Sequence, residues 1–156
     1  MQRTLDTELA QSPLFHGLSG PELELIAGCA ANVRFAEGEQ LFRRGDPADS
    51  FYLIRHGSVA LETFVPARGS IMIETLEPGE VLGWSWLFPP YRWHLDARAL
   101  TTVGALGFDG ACLRGKCEAD SKLGFNVMSR FAQVLIERLQ WTRLRLIDVY
   151  GDGYGR

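Results

Sequence analysis

Residues 79–99, GEVLGWSWLFPPYRWHLDARA, hold three of the chain's four tryptophans, with Phe88, Tyr91, Arg92, His94, Asp96 and Arg98 among them. Indole faces stack on planar ligands, and guanidinium groups hold anions. Gly79 and Gly83 bracket a short apolar run, and Trp84-Ser85-Trp86-Leu87-Phe88 is stopped by Pro89-Pro90. That order predicts a strand and then one turn of helix with a free N-terminus. Backbone N–H groups exposed at such a turn make an anion seat. A long loop this rich in aromatic and charged groups is where function concentrates in a small domain.

Other chemistry is weakly supported. Among His16, His56 and His94 there is no evident second ligand for a metal, so His94 is expected to be structural and no metal is assigned. The Cys112-x4-Cys117 spacing fits neither a zinc nor a cluster site. No Ser/His/Asp ordering, P-loop or HExxH motif is present, and an enzyme is not expected. The formal charge of -3 gives no reason to expect nucleic-acid binding. Three cysteines (Cys29, Cys112, Cys117) are an odd count and predict reduced thiols in a cytoplasmic protein. The N-terminus lacks an apolar signal core, and no apolar run approaches the roughly 20 residues of a membrane span.

The elements that must position the aromatic loop follow from periodicity. With 156 residues, 46% of them hydrophobic, one domain with a single core is expected over 1–156. Residues 4–12 predict a short helix or arm. Ser19 caps a second helix whose first turn takes Pro21 and whose apolar face is Leu23, Ile26, Ala27 and Ala30. From Asn32 the period changes to two. Short alternating runs broken by Gly38, Gly45-Asp46-Pro47, His56-Gly57, Arg68-Gly69 and Pro78-Gly79 predict an all-β barrel or sandwich over about 32–108. Arg98 alternates within a strand and is expected to brace the loop through Asp96 or a backbone carbonyl.

Beyond the barrel, Asp109 is a plausible N-cap for a helix over 110–118, and a long helix follows from about Ser121 to Val149. Ala132, Leu135, Leu139, Thr142, Leu146 and Val149 recur at alternating spacings of three and four, a seam of the kind that pairs two helices. Val127, Phe131, Val134, Arg138 and Trp141 form a second stripe suited to packing on the barrel. The glycine-rich GDGYGR end is expected to fray.

This order of elements, with Gly38-Glu39, the Gly45-Asp46 turn, Phe51-Tyr52-Leu53-Ile54, Gly57-Ser58-Val59 and then Gly83, resembles the cyclic nucleotide-binding domain of the bacterial catabolite activator and the kinase regulatory subunits. The resemblance covers roughly residues 13–150. It implies a mainly β fold with flanking helices: a β jelly-roll barrel, or double-stranded β-helix, with short N-terminal helices and a long C-terminal one. It also implies cyclic AMP or cyclic GMP as ligand, held by helix N–H groups, an Arg, and a Glu just after the Gly.

Here the Glu position carries Trp84, and the Arg region reads Arg92-Trp93-His94. On the long helix, Thr142 stands where a hydroxyl meets the purine. The implied ligand set is Leu82, Gly83, Trp84, Ser85, Arg92, Trp93, His94 and Thr142. A charged hydrogen bond to a sugar hydroxyl contributes about 1.5–3 kcal/mol, so losing the Glu weakens binding roughly ten- to a hundredfold. Trp84 and Trp93 stacking on a base would offset part of that.

Three outcomes stand open: a cyclic nucleotide in a changed pose, another anion or aromatic molecule, or a pocket sealed by its own Trp84, Trp86 and Phe88. The expected function is a stand-alone sensor module whose ligand pulls the loop against the long helix of a homodimer. The alternatives are a binding-dead dimeric scaffold and a transcription regulator of the catabolite activator type. Direct DNA binding is not expected of a chain ending at Arg156.

Overall fold

The computed structural model describes residues 2–154. Helices α1 (Gln2–Gln11) and α2 (Gly20–Ala27) precede eight strands: β1 (Ala30–Phe35), β2 (Gln40–Phe42), β3 (Ser50–His56), β4 (Val59–Val65), β5 (Gly69–Leu76), β6 (Val81–Leu82), β7 (Asp96–Ala99) and β8 (Val103–Asp109). Helices α3 (Gly110–Ala119) and α4 (Ser121–Tyr154) follow. The strands form two four-stranded antiparallel sheets, ordered β1-β8-β3-β6 and β2-β7-β4-β5, the two halves of the expected jelly roll. Helix α4 runs past the expected end at Val149, and residues 155–156 lie outside the described ones.

Local chemistry sets the helix ends. Ser19 and Glu22 form a reciprocal capping box at the start of α2, and Asp109 accepts from the Cys112 N–H at 3.0 Å to open α3. The hairpin between β3 and β4 turns at Gly57, whose φ is +87°. A Cβ there would collide with the Thr102 carbonyl oxygen. Gly57→Ala is therefore expected to cost at least about 1–3 kcal/mol from its backbone conformation alone, with the collision added, and guanidinium unfolding checks it.

The period-two strands put alternate residues into two cores. Ile54 on β3, Leu82 on β6, and Val103 and Ala105 on β8 point between the sheets, with Phe42, Leu61, Leu76 and Trp93. Phe51 and Leu53, Val81, and Leu106 and Phe108 point the other way. There they meet Phe15 and Ile26 from the N-terminal part, and Leu113, Leu123, Val127 and Phe131 from α3 and α4. The sheet β1-β8-β3-β6 thus has apolar side chains on both faces, which is why its inner strands are apolar nearly throughout.

Two side-chain expectations are corrected. Arg98 braces neither the loop nor Asp96: it pairs with Glu62 on the adjacent strand β4, Nε to Oε1 at 2.8 Å and Nη2 to Oε2 at 3.3 Å. The Asp96 carboxylate instead accepts from the Arg44 N–H at 2.7 Å. The cysteines are not all thiols: Cys29 and Cys112 form a disulfide, their Cα atoms 5.8 Å apart. It joins the segment entering β1 to the first turn of α3, and only Cys117 stays a thiol. Burial, then Asp120 and Glu118, push that thiol's pKa up.

Candidate functional site

Strand β6 ends at Leu82, and Gly83 turns the chain with φ +99°. A single 3-10 turn, Ser85–Leu87, follows, shorter than the helical turn expected over 84–88. Its residues divide by role. Trp86 is fully buried and stacks on Phe51 at 4.7 Å, edge-on to Phe131, so it belongs to the core between sheet and helices. Phe88 is exposed. Trp84 lies under the guanidinium of Arg138, 4.9 Å from ring centroid to Cζ.

Trp93 decides the shape of the cavity. Its ring lies flat on Phe42, with centroids 3.8 Å apart and planes 8° from parallel. The opposite wall is Gly83: a Cβ there would stand 2.7 Å from two carbons of the indole. The backbone around it is fixed by the β2–β3 turn. The Trp93 N–H donates to the Asp46 carbonyl at 3.1 Å, and its own carbonyl accepts from the Gly45 N–H at 2.9 Å.

What remains open beside the indole is about 40 Å³, lined by Leu61, Leu82, Trp84, Ser85, His94, Leu95 and Arg138 as well as Phe42, Gly83 and Trp93. That volume holds a few waters at most. Ligand pockets usually span about 300–1,000 Å³. Ser85 Oγ and His94 Nδ1 lie 3.3 Å apart, so this histidine has a structural partner. Among the described residues no cluster of His, Cys, Asp and Glu could hold a metal ion.

Leu82, Gly83, Trp84, Ser85, Trp93 and His94 therefore come together around one small cavity. Arg92 and Thr142 do not join them. The Arg92 side chain is exposed and donates to the Gly45 carbonyl at 3.2 Å, on the outside of the loop. Thr142 is exposed, and its hydroxyl donates back to the Arg138 carbonyl one turn earlier at 2.8 Å. Neither lines the cavity.

The group that sequence reasoning missed is Arg138. It sits on the stripe of α4 that faces the barrel, which was the available signal. An arginine between Val134 and Trp141 in an apolar row needs a reason to be there. Its Nη2 donates to the Val81 carbonyl on β6, while its Nη1 is buried with no acceptor among the described residues. Burial pushes its pKa down, against the pull of Glu74 and Glu80. Arg138 also lines a wider cleft of about 550 Å³ between α4 and the β5–β6 connection, with Glu74, Glu80, Arg130, Trp141 and Arg145. One side chain of the long helix is thus part of the wall of both spaces.

A family model described as "Cyclic nucleotide-binding domain" matches residues 32–120. The chain is 26% identical over 153 residues to a CRP-like cAMP-activated global transcriptional regulator of Mycobacterium tuberculosis, covering 97% of this chain and 66% of that protein. It thus spans just under two thirds of that relative's length.

Among solved structures, the N-terminal domain of a transcriptional regulator from Streptomyces coelicolor A3(2) is 25% identical, with a TM-score of 0.69 over 86% of this chain and 94% of that one. The catabolite activator protein of Thermus thermophilus is also 25% identical, with a TM-score of 0.71 over 89% and 63%. With a model match over more than half its length and a jelly roll carrying the expected cassette turn, this chain belongs to the cyclic nucleotide-binding domain family.

Proposed function

We propose that this chain is a ligand-responsive sensor module, in which occupancy of the cassette at 82–95 biases how α4 pairs with α4 of a second copy. The observation that carries this reading is Arg138: it is fixed on the long helix and forms part of the cavity wall, in contact with both β6 and Trp84. A change in the cassette reaches the helix through one side chain. Catalysis has no part in this reading.

The homodimer rests on the seam. Leu139, Leu146 and Val149 are 51%, 52% and 69% exposed. The same alternation of three and four continues backwards to Met128 and Phe125, 42% and 73% exposed. Eight seam positions from 125 to 149 are then available to a second helix. A cytoplasmic setting is also part of the proposal. No described helix is long and apolar enough to cross a membrane. In that setting the Cys29–Cys112 pair is expected as two thiols, because a reducing compartment keeps such bonds open. The thiol state of the protein in its own host decides that point.

The test joins titration calorimetry with cyclic AMP and cyclic GMP to sedimentation of wild type and Trp93→Ala. Opening the cassette by the substitution, or filling it with ligand, is expected to move the dimer dissociation constant by about fivefold or more, the usual range of coupling between sites. The second reading, a scaffold with its own pocket closed, is favoured by the stacking of Trp93 on Phe42. A dimer constant unmoved by the substitution and by both nucleotides supports the scaffold. A transcriptional role like that of the Mycobacterium tuberculosis regulator is a third reading, and a low-salt gel shift tests it.

A further inference from the structure

The indole of Trp93 fills a slot made for a flat ring. Phe42 supplies one face, parallel and 3.8 Å away, and the bare Cα of Gly83 supplies the other. Any planar ring that displaced the indole would inherit both walls. The rest of the lining is Leu61, Leu82, Trp84 and Leu95, with Ser85 and His94 already bonded to each other. Among the described residues no carboxylate lines the space, so they supply no charged acceptor of the kind a sugar's hydroxyls require.

One charge is present. Arg138 uses Nη2 on the Val81 carbonyl and its flat face on Trp84, and its buried Nη1 has no acceptor among the described residues. No carboxylate lies within ion-pair distance of it among the described residues. Glu74 and Glu80 act on it only from beyond ion-pair contact, and a largely buried guanidinium with an unmet N–H calls for an explanation. An incoming carboxylate would complete it with a charge-assisted hydrogen bond.

From these walls and this charge we infer that the cassette takes a planar aromatic carboxylate without a sugar, and that Trp93 is the displaceable plug that keeps it shut. The inference rests on the sensor reading and names the ligand class of that same site. Opening needs no melting of the loop. The Trp93 backbone stays tied to Gly45 and Asp46 while the side chain rotates out of the slot. The ligand's ring then stacks on Phe42, and its carboxylate meets Arg138.

The experiment is calorimetric titration of the full chain with benzoate, with benzyl alcohol as its neutral counterpart, and with cyclic AMP. Wild type, Trp93→Ala and Arg138→Gln are compared, with thermal melts confirming that each is folded. Benzoate is expected to bind Trp93→Ala about tenfold tighter than wild type, because no plug has to be displaced. The alcohol is expected to bind about tenfold weaker than benzoate, and Arg138→Gln to abolish that difference. Wild-type tryptophan fluorescence is expected to change as benzoate saturates, since the Trp93–Phe42 stack is broken.

Equal binding of acid and alcohol overturns the inference, as does benzoate binding to wild type with unchanged tryptophan emission. The wild-type arms hold even if Trp93→Ala fails to fold. Binding of cyclic AMP without benzoate removes the ligand class and leaves the sensor reading standing. Binding of none of the three to folded protein, with the dimer constant unmoved, removes both.

Discussion

Phe51→Ala is expected to lower the folding stability by about 3–5 kcal/mol, read as a lower midpoint in guanidinium unfolding. Phe51 is fully buried on β3, at the centre of an aromatic cluster. Its ring lies 4.4 Å from Phe108, 4.7 Å from Trp86 and 5.0 Å from Phe131. These partners come from β8, the 3-10 turn after Gly83, and α4, so one truncation opens a cavity where three elements meet. The walls cannot easily collapse, because two of them are a sheet and a helix held elsewhere. Against a total of about 5–15 kcal/mol for an ordinary domain, that loss is a large share. Phe88→Ala, at a 43% exposed position in the same loop, serves as the control and is expected to change stability by less than about 0.5 kcal/mol.

The second large effect belongs to the dimer. Leu139→Glu combined with Leu146→Glu is expected to raise the dimer dissociation constant by about a hundredfold or more. Each leucine is about half exposed in the single chain, so pairing buries the remaining half. That is worth about 1 kcal/mol per side chain. Four such side chains meet in a symmetric pair, and about 2.8 kcal/mol already corresponds to a hundredfold. Four carboxylates in one seam add repulsion. Sedimentation equilibrium measures the constant, while the thermal melt of the monomer should stay near wild type because neither position supports the single-chain core. A dimer constant that does not move would show that the seam is not the interface.

Much of this molecule is legible from local sequence. Alternation gave the strands, because side chains on a pleated strand must choose one of two faces. The Ser19–Glu22 and Asp109 caps are written within three residues of their partners. The two stripes of α4 follow from helical spacing: Val127 and Phe131 are buried, while Leu139 and Leu146 are not. Six of the eight predicted ligand residues line one cavity: Leu82 to Ser85 lie on one strand end and the turn after it, and Trp93 and His94 on the segment leading into β7.

What was not legible depends on distant partners. The Cys29–Cys112 bond joins positions 83 residues apart, and nothing in their spacing marks them as a pair. The rotamer of Trp93 is chosen by Phe42 across the barrel. Arg92 and Arg138 are both arginines near a candidate site. Only the fold determines that the nearer one in sequence points outward, while the one on α4 reaches Val81. A family's motif position is a backbone address, and the side chain that reaches the space can arrive from another element.

The sheet β1-β8-β3-β6 acts as a party wall between two rooms, with Leu53 furnishing one and Ile54 the other. A slip of strand β3 by a single residue would exchange the furniture of both rooms at once, so its register is locked from two directions. Such a wall can tilt or shift only as a rigid panel. Whatever nudges Leu82 in the barrel room is therefore felt next door at Val81, in the room where the long helix stands.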